Sequence, residues 1–278
     1  MDHPANLLMQ AWWPPLSAQV LLSMLALTAL TWAVSVPRRD ASLADRIWPV
    51  FFILAAAWPW LSGTAVSARA VAVTALVTAW GLRLGFYITR RNWGHGEDRR
   101  YQAIRARNQP GFALKSLYLV FGLQAALAWW IALPLGTALR ADAPWGGLDT
   151  LGLALGSAGL LCEAVADAQM ARFQADPHHR HEVMNRGLWA WSRHPNYFGE
   201  ACVWWGVWLL AASAMPVVAV MQLGSPLLMT FLLLKVSGVA LLEQDIGSRR
   251  PGYRQYVLDT PAFWPRPPRR ASNPPSGA

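Results

Sequence analysis

The sequence predicts an all-α integral membrane protein, a bundle of seven transmembrane helices, and three observations lead to this fold class. The 278 residues are 54% hydrophobic and only 14% charged, a composition too apolar for an ordinary soluble domain. The apolar residues are gathered into long stretches, and a membrane-spanning helix needs about 20 mostly apolar residues in a row. The basic residues, nearly all of them arginine, lie in the short loops between these stretches.

Seven stretches of the chain have the length and composition of a spanning helix. In order, they cover about 16–36, 47–66, 69–89, 113–138, 148–172, 197–221 and 224–244. Pro59, between two tryptophans, interrupts the second stretch and predicts a kinked or short helix, and Pro134 lies near the end of the fourth. We treat residues 1–265 as one seven-helix domain and predict that the Pro- and Arg-rich residues 266–278 form a disordered tail.

The distribution of arginine predicts the orientation of the bundle. Arginines are frequent in the first, third and fifth loops and in the C-terminal tail, whereas the alternate loops hold only Arg69 and Arg140. Because cytoplasmic loops carry an excess of basic residues, the N-terminus is predicted outside and the C-terminus in the cytoplasm. In a bacterial cell this places the protein in the inner membrane. The net charge of +9 is spread over several loops and not over one basic face, which argues against nucleic acid as a partner.

The cysteines and histidines of the sequence predict neither a disulfide framework nor a metal site. Cys162 and Cys202 both fall inside apolar stretches and lack metal-ligand spacing. The run of His178, His179 and His181 has ligands of the right type, but no second ligand run accompanies it. We interpret it as a solvated loop.

The most polar segment beside a long apolar stretch is RGLWAWSRHPNYFGE, residues 186–200. Pro195 favours an extended residue before it and a helix start after it. In a helix that begins there, Asn196 and Glu200 are four residues apart and share a face. Glu200 then lies one turn inside an apolar helix, and an ionisable residue in that position predicts a functional site. The alternative is an acid that reaches the membrane surface and pairs with an arginine.

Other predicted helices also carry polar side chains near their cytoplasmic ends. The third helix has Arg83 and Tyr87 four residues apart, the fifth has Glu163 and Asp167 with the same spacing, and the seventh has Glu243. Acids on separate helices can build one polar cavity that opens to the cytoplasm. They can also pair with loop arginines and only hold the bundle together. Their coincidence with the segment 186–200 favours a site.

The residue types suggest what such a site binds. The guanidinium group of arginine binds phosphate through two parallel hydrogen bonds, so arginines on the cytoplasmic side suit a phosphate-bearing cofactor. The side chains of Asp167, Asn196 and Glu200 can hydrogen-bond ribose hydroxyls or a nicotinamide amide. Tryptophans and apolar helix walls suit a lipid-like substrate. The sequence has no G-x-G-x-x-G and no Walker loop, so the predicted nucleotide site is not of the Rossmann type.

Several of these motifs resemble the steroid 5α-reductase superfamily, especially its bacterial membrane members. They are the segment 186–200, the E-x-x-x-D-x-Q string that starts at Glu163, RPGYRQY at 250–256 and FWPRPP at 263–268. The N-x-x-G-E string inside the first motif is the most specific of them. The resemblance implies a seven-helix bundle that holds NADPH in a cytoplasmic cavity. It also implies hydride delivery to the conjugated C=C bond of a sterol-like enone.

The resemblance also implies roles for individual residues. Asn196 and Glu200 match the motif as NADPH contacts, and Asp167 joins them through the acid-rich fifth helix. The predicted cofactor site further includes Glu163, Arg193, His194, Tyr197, Glu243 and Tyr253.

The predicted catalytic residues are Tyr87, as the proton donor, and Arg83, on the same helix face. The alternative for Tyr87 is an interfacial belt tyrosine. In the steroid reductases an acid on the second helix polarises the ketone together with a tyrosine. Residues 47–66 contain no Glu, Asp or Gln, so the sequence offers no such acid.

Similar motifs occur in isoprenylcysteine carboxyl methyltransferases and related lipid methyltransferases, which bind S-adenosylmethionine. Arg193, His194 and Tyr197 fit their R-H-P-x-Y string, while Glu243 and the Tyr253 region fit their acidic pair and Y-x-x-Y tail. The N-x-x-G-E string favours the reductases. A non-enzymatic carrier or assembly factor is a third alternative, and a carrier needs a polar path across the whole bilayer. The predicted polar residues stop on one side.

Overall fold

The computed structural model describes residues 18–61, 67–180, 182–236 and 252–268. This part of the chain contains helices and irregular segments and no β-strand. The helices are α1 Ala18–Arg38, α2 Leu43–Leu61, α3 Ala68–Arg91, α4 Arg99–Arg107, α5 Phe112–Ile131, α6 Leu133–Arg140, α7 Gly147–Ala175, α8 Pro195–Ala214, α9 Pro216–Val236 and α10 Tyr253–Asp259. The predicted all-α fold class is therefore confirmed for the described residues.

Five of the described helices are long and apolar enough to cross a membrane. They are α1, α3, α5, α7 and α9, and they match five of the seven predicted stretches. Large apolar side chains point outward along them, for example Leu22 and Leu30 of α1, which are 64% and 67% exposed, and Leu161 of α7, 65% exposed. Such side chains suit contact with lipid, as expected of an integral membrane protein.

The two remaining predicted stretches also form helices, α2 and α8, but neither is among the five candidate spans. Two predicted limits are wrong, and proline explains both. The fourth stretch, 113–138, breaks at Ala132, because Pro134 in the first turn of α6 has no backbone N–H with which to continue α5. The sixth, 197–221, ends at Ala214, because Pro216 lacks a backbone N–H and starts α9.

The chain divides into two compact units. Unit 1 comprises residues 1–156 and 204–228, and unit 2 comprises residues 157–203 and 229–278. The division falls within three helices, so α7, α8 and α9 each lie partly in unit 1 and partly in unit 2.

An aromatic cluster lies in the core of unit 1. Phe52 of α2, Trp80 of α3 and Trp204 of α8 are almost fully buried. The indole ring centroids of Trp80 and Trp204 lie 5.2 Å apart with their planes nearly perpendicular, and the Phe52 ring contacts both. The packing of large rings in edge-to-face contact stabilises this meeting point of three helices.

A charged network ties α4 to the start of α2. Asp45 accepts hydrogen bonds from Arg100, at 2.7 Å, and from the Tyr101 hydroxyl, at 2.5 Å. Burial, together with the neighbouring Asp45 carboxylate, raises the pKa of Tyr101 well above its ordinary value, so the hydroxyl stays protonated and donates. Burial tends to raise the pKa of Glu97, but the hydrogen bonds from Arg105 and from the Ala41 amide, together with the charge of Arg105, leave that pKa below its ordinary value.

A buried ion pair joins α3 to α7 in unit 1. Arg69 and Asp149 are 1% and 0% exposed, and Arg69 Nε and Nη2 donate to the two carboxylate oxygens at 2.6 and 3.0 Å. The remaining guanidinium hydrogens reach backbone carbonyls of the α6–α7 loop. The carboxylate also accepts from Ser213 Oγ and the Gly146 amide. The charges are thus fully hydrogen-bonded, which a buried pair requires.

Candidate functional site

A buried polar cluster on α7 and α8 lies in unit 2, and a glycine contact brings its two helices together. A Cβ atom added to Gly159 would lie 2.5 Å from the carbonyl oxygen of Gly199, and one added to Gly199 would lie 2.8 Å from the amide nitrogen of Glu163. Only glycine permits such close backbone approach. The contact places the α7 turn that carries Glu163 directly against the α8 turn that carries Glu200.

The predicted helix start at Pro195 is confirmed, and it sets the face that Asn196 presents. Asn196 Nδ2 donates to Asp167 Oδ1 at 3.1 Å, which links the two helices across their polar faces. The sequence predicted both residues as site members but not that they would bond to each other. Asp167 is 4% exposed, so the amide donor also serves to satisfy a buried carboxyl oxygen.

Two further carboxyl groups are buried in the same part of unit 2. Glu163 lies one turn before Asp167 on α7 and is 2% exposed, and Glu200 lies one turn after Asn196 on α8 and is 6% exposed. Both make interactions within the fold. Three buried acids on two adjoining helices are costly, because each charge must be compensated by hydrogen bonds or a positive partner. This cost favours a functional interpretation of the cluster.

One atom of the cluster is a buried acceptor without a donor. Asn196 Oδ1 has no hydrogen-bond partner among the residues that the structure describes. Its own Nδ2 faces the Asp167 carboxylate, so turning the amide over would place two acceptors together. The orientation of the amide is therefore determined, and the oxygen remains ready to accept from an N–H or O–H group. Buried acceptors of this kind are rare and call for an explanation.

Arg193 and His194, which precede α8, have different surroundings. Arg193 is buried, and its Nη1 donates to the carbonyl oxygens of Val257 and Thr260 at 3.0 and 2.6 Å, so it caps the C-terminal end of α10. The His194 ring lies parallel to the Tyr197 ring, with centroids 5.5 Å apart. The predicted cofactor roles of Arg193, His194 and Tyr197 stay predictions.

The segment before α8 is held in place by hydrogen bonds that the sequence did not predict. Trp189 Nε1 donates to the carbonyl oxygen of Ala166 on α7 at 3.0 Å, and Tyr256 of α10 donates to the carbonyl oxygen of Trp189 at 2.6 Å. The Leu188 amide donates to Gln169 Oε1 at 3.0 Å. The G-L-W-x-x-S string thus positions the start of α8. Its unusual density of Trp and Gly was the one sequence signal for this role.

The predicted catalytic residues Arg83 and Tyr87 lie in unit 1, on one face of α3. Both are partly buried, and the Arg91 guanidinium lies over the Tyr87 ring, 5.8 Å from its centroid. Tyr253 lies in unit 2, buried at the start of α10, with its ring centroid 5.9 Å from that of Tyr256. The predicted cofactor contact Glu243 lies outside the described residues.

The described residues contain no group of three or more His, Cys, Asp or Glu side chains that could hold a metal ion. Within the histidine run, the His179 ring stacks on Phe173 with centroids 4.6 Å apart, and His178 is exposed.

Comparisons with known proteins identify the family. One relative is the uncharacterized protein C594.04c of Schizosaccharomyces pombe, 27% identical over 226 residues. The alignment covers 72% of this chain, and the chain spans about 65% of the length of that relative. No solved structure matches the chain. Residues 31–260, more than half of the chain, match the family described as "Protein of unknown function (DUF1295)". The chain therefore belongs to the DUF1295 family.

Proposed function

We propose that this protein is a membrane-embedded, NADPH-dependent reductase of the conjugated C=C bond of a lipid-like enone, such as a 3-oxo-Δ4 steroid. The observation that carries the proposal is the unpartnered, buried Oδ1 of Asn196 within a cluster of three buried acids. Membership of the DUF1295 family, which includes steroid 5α-reductase-like proteins, adds support. The proposal includes seven spans, an outside N-terminus and a cofactor site on the cytoplasmic side of a bacterial inner membrane.

The residues of unit 2 fit the chemical groups of NADPH. An acceptor such as Asn196 Oδ1 suits the amide hydrogens of a nicotinamide or a ribose hydroxyl, and the Glu200 carboxylate suits a second hydroxyl. Exposed arginines of the same unit, at Arg172, Arg180 and Arg186, suit the phosphates. When bound, NADPH supplies a hydride to the β-carbon of the enone.

The chain's own part in the reaction is to hold the substrate and to supply a proton. Hydride addition breaks the C=C π bond and forms a C–H bond at the β-carbon, and the electron pair moves onto the carbonyl oxygen as an enolate. In our proposal the Tyr87 hydroxyl then gives its proton to the α-carbon, and water returns a proton to the tyrosinate. Arg83, four residues away on the same face of α3, stabilises the tyrosinate while it is charged.

Replacement of Asn196 or Glu200 tests the cofactor site. We expect Asn196→Ala and Glu200→Gln each to weaken NADPH binding by tenfold to a hundredfold, because each loses one hydrogen bond worth about 1.5–3 kcal/mol. The measurement is the NADPH Kd of the purified protein in detergent, with Tm as a check on folding. Matched controls are Asn185→Ala and Asp259→Asn, since both side chains are exposed in the same unit.

The same purified protein separates the two cofactor hypotheses. NADPH at a hundredfold excess over its Kd stabilises the folded state by about 2.7 kcal/mol, so it should raise Tm. A rise with S-adenosylmethionine and none with NADPH would contradict the reductase. An unchanged NADPH Kd in both variants, with a lowered Tm, would mean that the cluster is structural.

Replacement of Tyr87 tests the proton donor. We expect Tyr87→Phe to lower turnover of a 3-oxo-Δ4 steroid by roughly 10²–10⁴-fold, the usual contribution of a positioned proton donor, and to leave the NADPH Kd unchanged. Tyr118→Phe is the control, because Tyr118 is 59% exposed on α5. Wild-type turnover in Tyr87→Phe would assign Tyr87 to the interface belt.

A further inference from the structure

The aromatic cluster of Phe52, Trp80 and Trp204 contains two buried donors that have no acceptor. Trp80 and Trp204 are 0% and 2% exposed, and neither Nε1–H has a hydrogen-bond partner among the described residues. The two indoles meet edge to face, with ring centroids 5.2 Å apart and planes nearly perpendicular. All three residues belong to unit 1.

A buried N–H without an acceptor costs stability, and phenylalanine would fill similar apolar space without that cost. The next turn of α8 shows that unit 1 can supply an acceptor for a tryptophan. Trp208 Nε1 donates to the carbonyl oxygen of Ala219 at 2.8 Å. Trp129 Nε1 of α5 also lacks a partner among the described residues, but Trp80 and Trp204 are two such donors in ring contact with each other. Two donors in one apolar cluster suit an oxygen brought by a ligand.

The helical spacing of α3 relates this pair to the predicted proton donor. Tyr87 follows Trp80 by seven residues, so the two side chains share a helix face. A rise of 1.5 Å per residue separates their positions along the axis by roughly 10 Å. A ligand whose reacting enone lies at Tyr87 therefore reaches Trp80 with its opposite end.

We propose that the indole N–H groups of Trp80 and Trp204 bind a second oxygen of the substrate, a ketone or hydroxyl roughly 10 Å from its enone. This assignment rests on the proposed function for the position of the enone. It names the substrate class more closely, as an elongated, rigid, apolar molecule with an oxygen at each end. Both N–H groups are buried away from water, so a neighbouring ring must turn to admit the ligand oxygen. Phe52 is the candidate for this movement, because its ring contacts both indoles.

The test compares two probes in the absence of NADPH. One is a 3-oxo-Δ4 steroid with a ketone at its far end, and the other is the same steroid with a methylene group there. We expect the wild-type protein to bind the diketone about tenfold more tightly, because a site built to donate hydrogen bonds rejects an analogue without the acceptor. Trp80→Phe and Trp204→Phe should each reduce this preference, and the double variant should abolish it.

Trp208→Phe is the matched control, because it removes a satisfied indole N–H from the same helix. It should lower Tm and keep the preference for the diketone. The assignment is overturned if the double variant still prefers the diketone. It is also overturned if the wild-type protein binds the two probes equally, or binds neither of them. If a variant fails to fold, the wild-type comparison and the other single variant still decide the outcome. Failure of NADPH to bind would overturn the proposed function and leave this measurement unaffected.

Discussion

Gly159→Leu is expected to leave no folded protein in detergent. The glycine lies where α7 and α8 touch backbone to backbone in unit 2. Even a single added carbon would lie 2.5 Å from the carbonyl oxygen of Gly199 and 2.7 Å from the Cβ of Cys202. No rotamer change can relieve a clash with backbone, so the helices must separate, and a packed core resists such movement at a cost of several kcal/mol. The measurement is the yield of monodisperse protein and its Tm.

A series of alanine variants gives the same test in graded form. Gly→Ala inside a helix normally stabilises by about 1 kcal/mol. We expect this gain in stability at Gly85, inside α3, where an added Cβ would meet only Pro49 Cγ, at an ordinary contact distance of 3.4 Å. We expect alanine at Gly159 or at Gly199 to lower the free energy of unfolding by about 1–3 kcal/mol, because the added carbon overpacks the helix contact. A raised Tm for Gly159→Ala would contradict the close contact on which the site geometry depends.

Arg69→Met is expected to lower the free energy of unfolding by about 3–5 kcal/mol, because it leaves the carboxylate of Asp149 buried without its counter-charge. The pair is almost completely buried, so solvent screens it little. Asp149→Asn in the same protein should recover part of the loss by removing the uncompensated charge. The measurement is the Tm of the three proteins at constant detergent and salt concentration.

An exposed ion pair supplies the control for this prediction. Arg186 and Glu182 lie 3.5 Å apart and are 66% and 51% exposed. Exposed pairs contribute at most about 1 kcal/mol, so Arg186→Gln should change Tm little. Equal effects of Arg69→Met and Arg186→Gln would mean that the Arg69 pair is open to water.

Residues that look alike in the sequence have different functions in the structure. Arg69 counted in the sequence as a loop arginine on the outer side, yet its guanidinium is buried and pairs with Asp149. Arg193 is one of the predicted cofactor residues, and its Nη1 caps α10. Asn196 lies three residues later. Its Nδ2 donates to Asp167, whereas its Oδ1 has no donor among the described residues. Burial and hydrogen-bonding partners therefore separate candidate ligand contacts from structural groups.

The sequence by itself determined the helical class, the apolar stretches of the candidate spans and the start of α8 at Pro195. These features depend on interactions within about 20 neighbouring residues, since hydropathy and proline chemistry act locally. It also placed Asn196 and Glu200 on one helix face, because the spacing of four follows from the helix repeat. The breaks before α6 and α9 were missed because a proline near the end of an apolar stretch does not tell whether the chain kinks or restarts.

Only the tertiary structure decided which polar groups meet. The Asn196–Asp167 hydrogen bond joins residues 29 positions apart, and the Gly159–Gly199 contact that makes it possible depends on how two helices cross. Helix rotation and crossing are set by the fit of side chains over the whole interface, which no local pattern specifies. The same reason applies to Trp80 and Trp204. Each is an ordinary apolar residue in its own helix, and their missing acceptors become visible only when the neighbouring helices are packed around them.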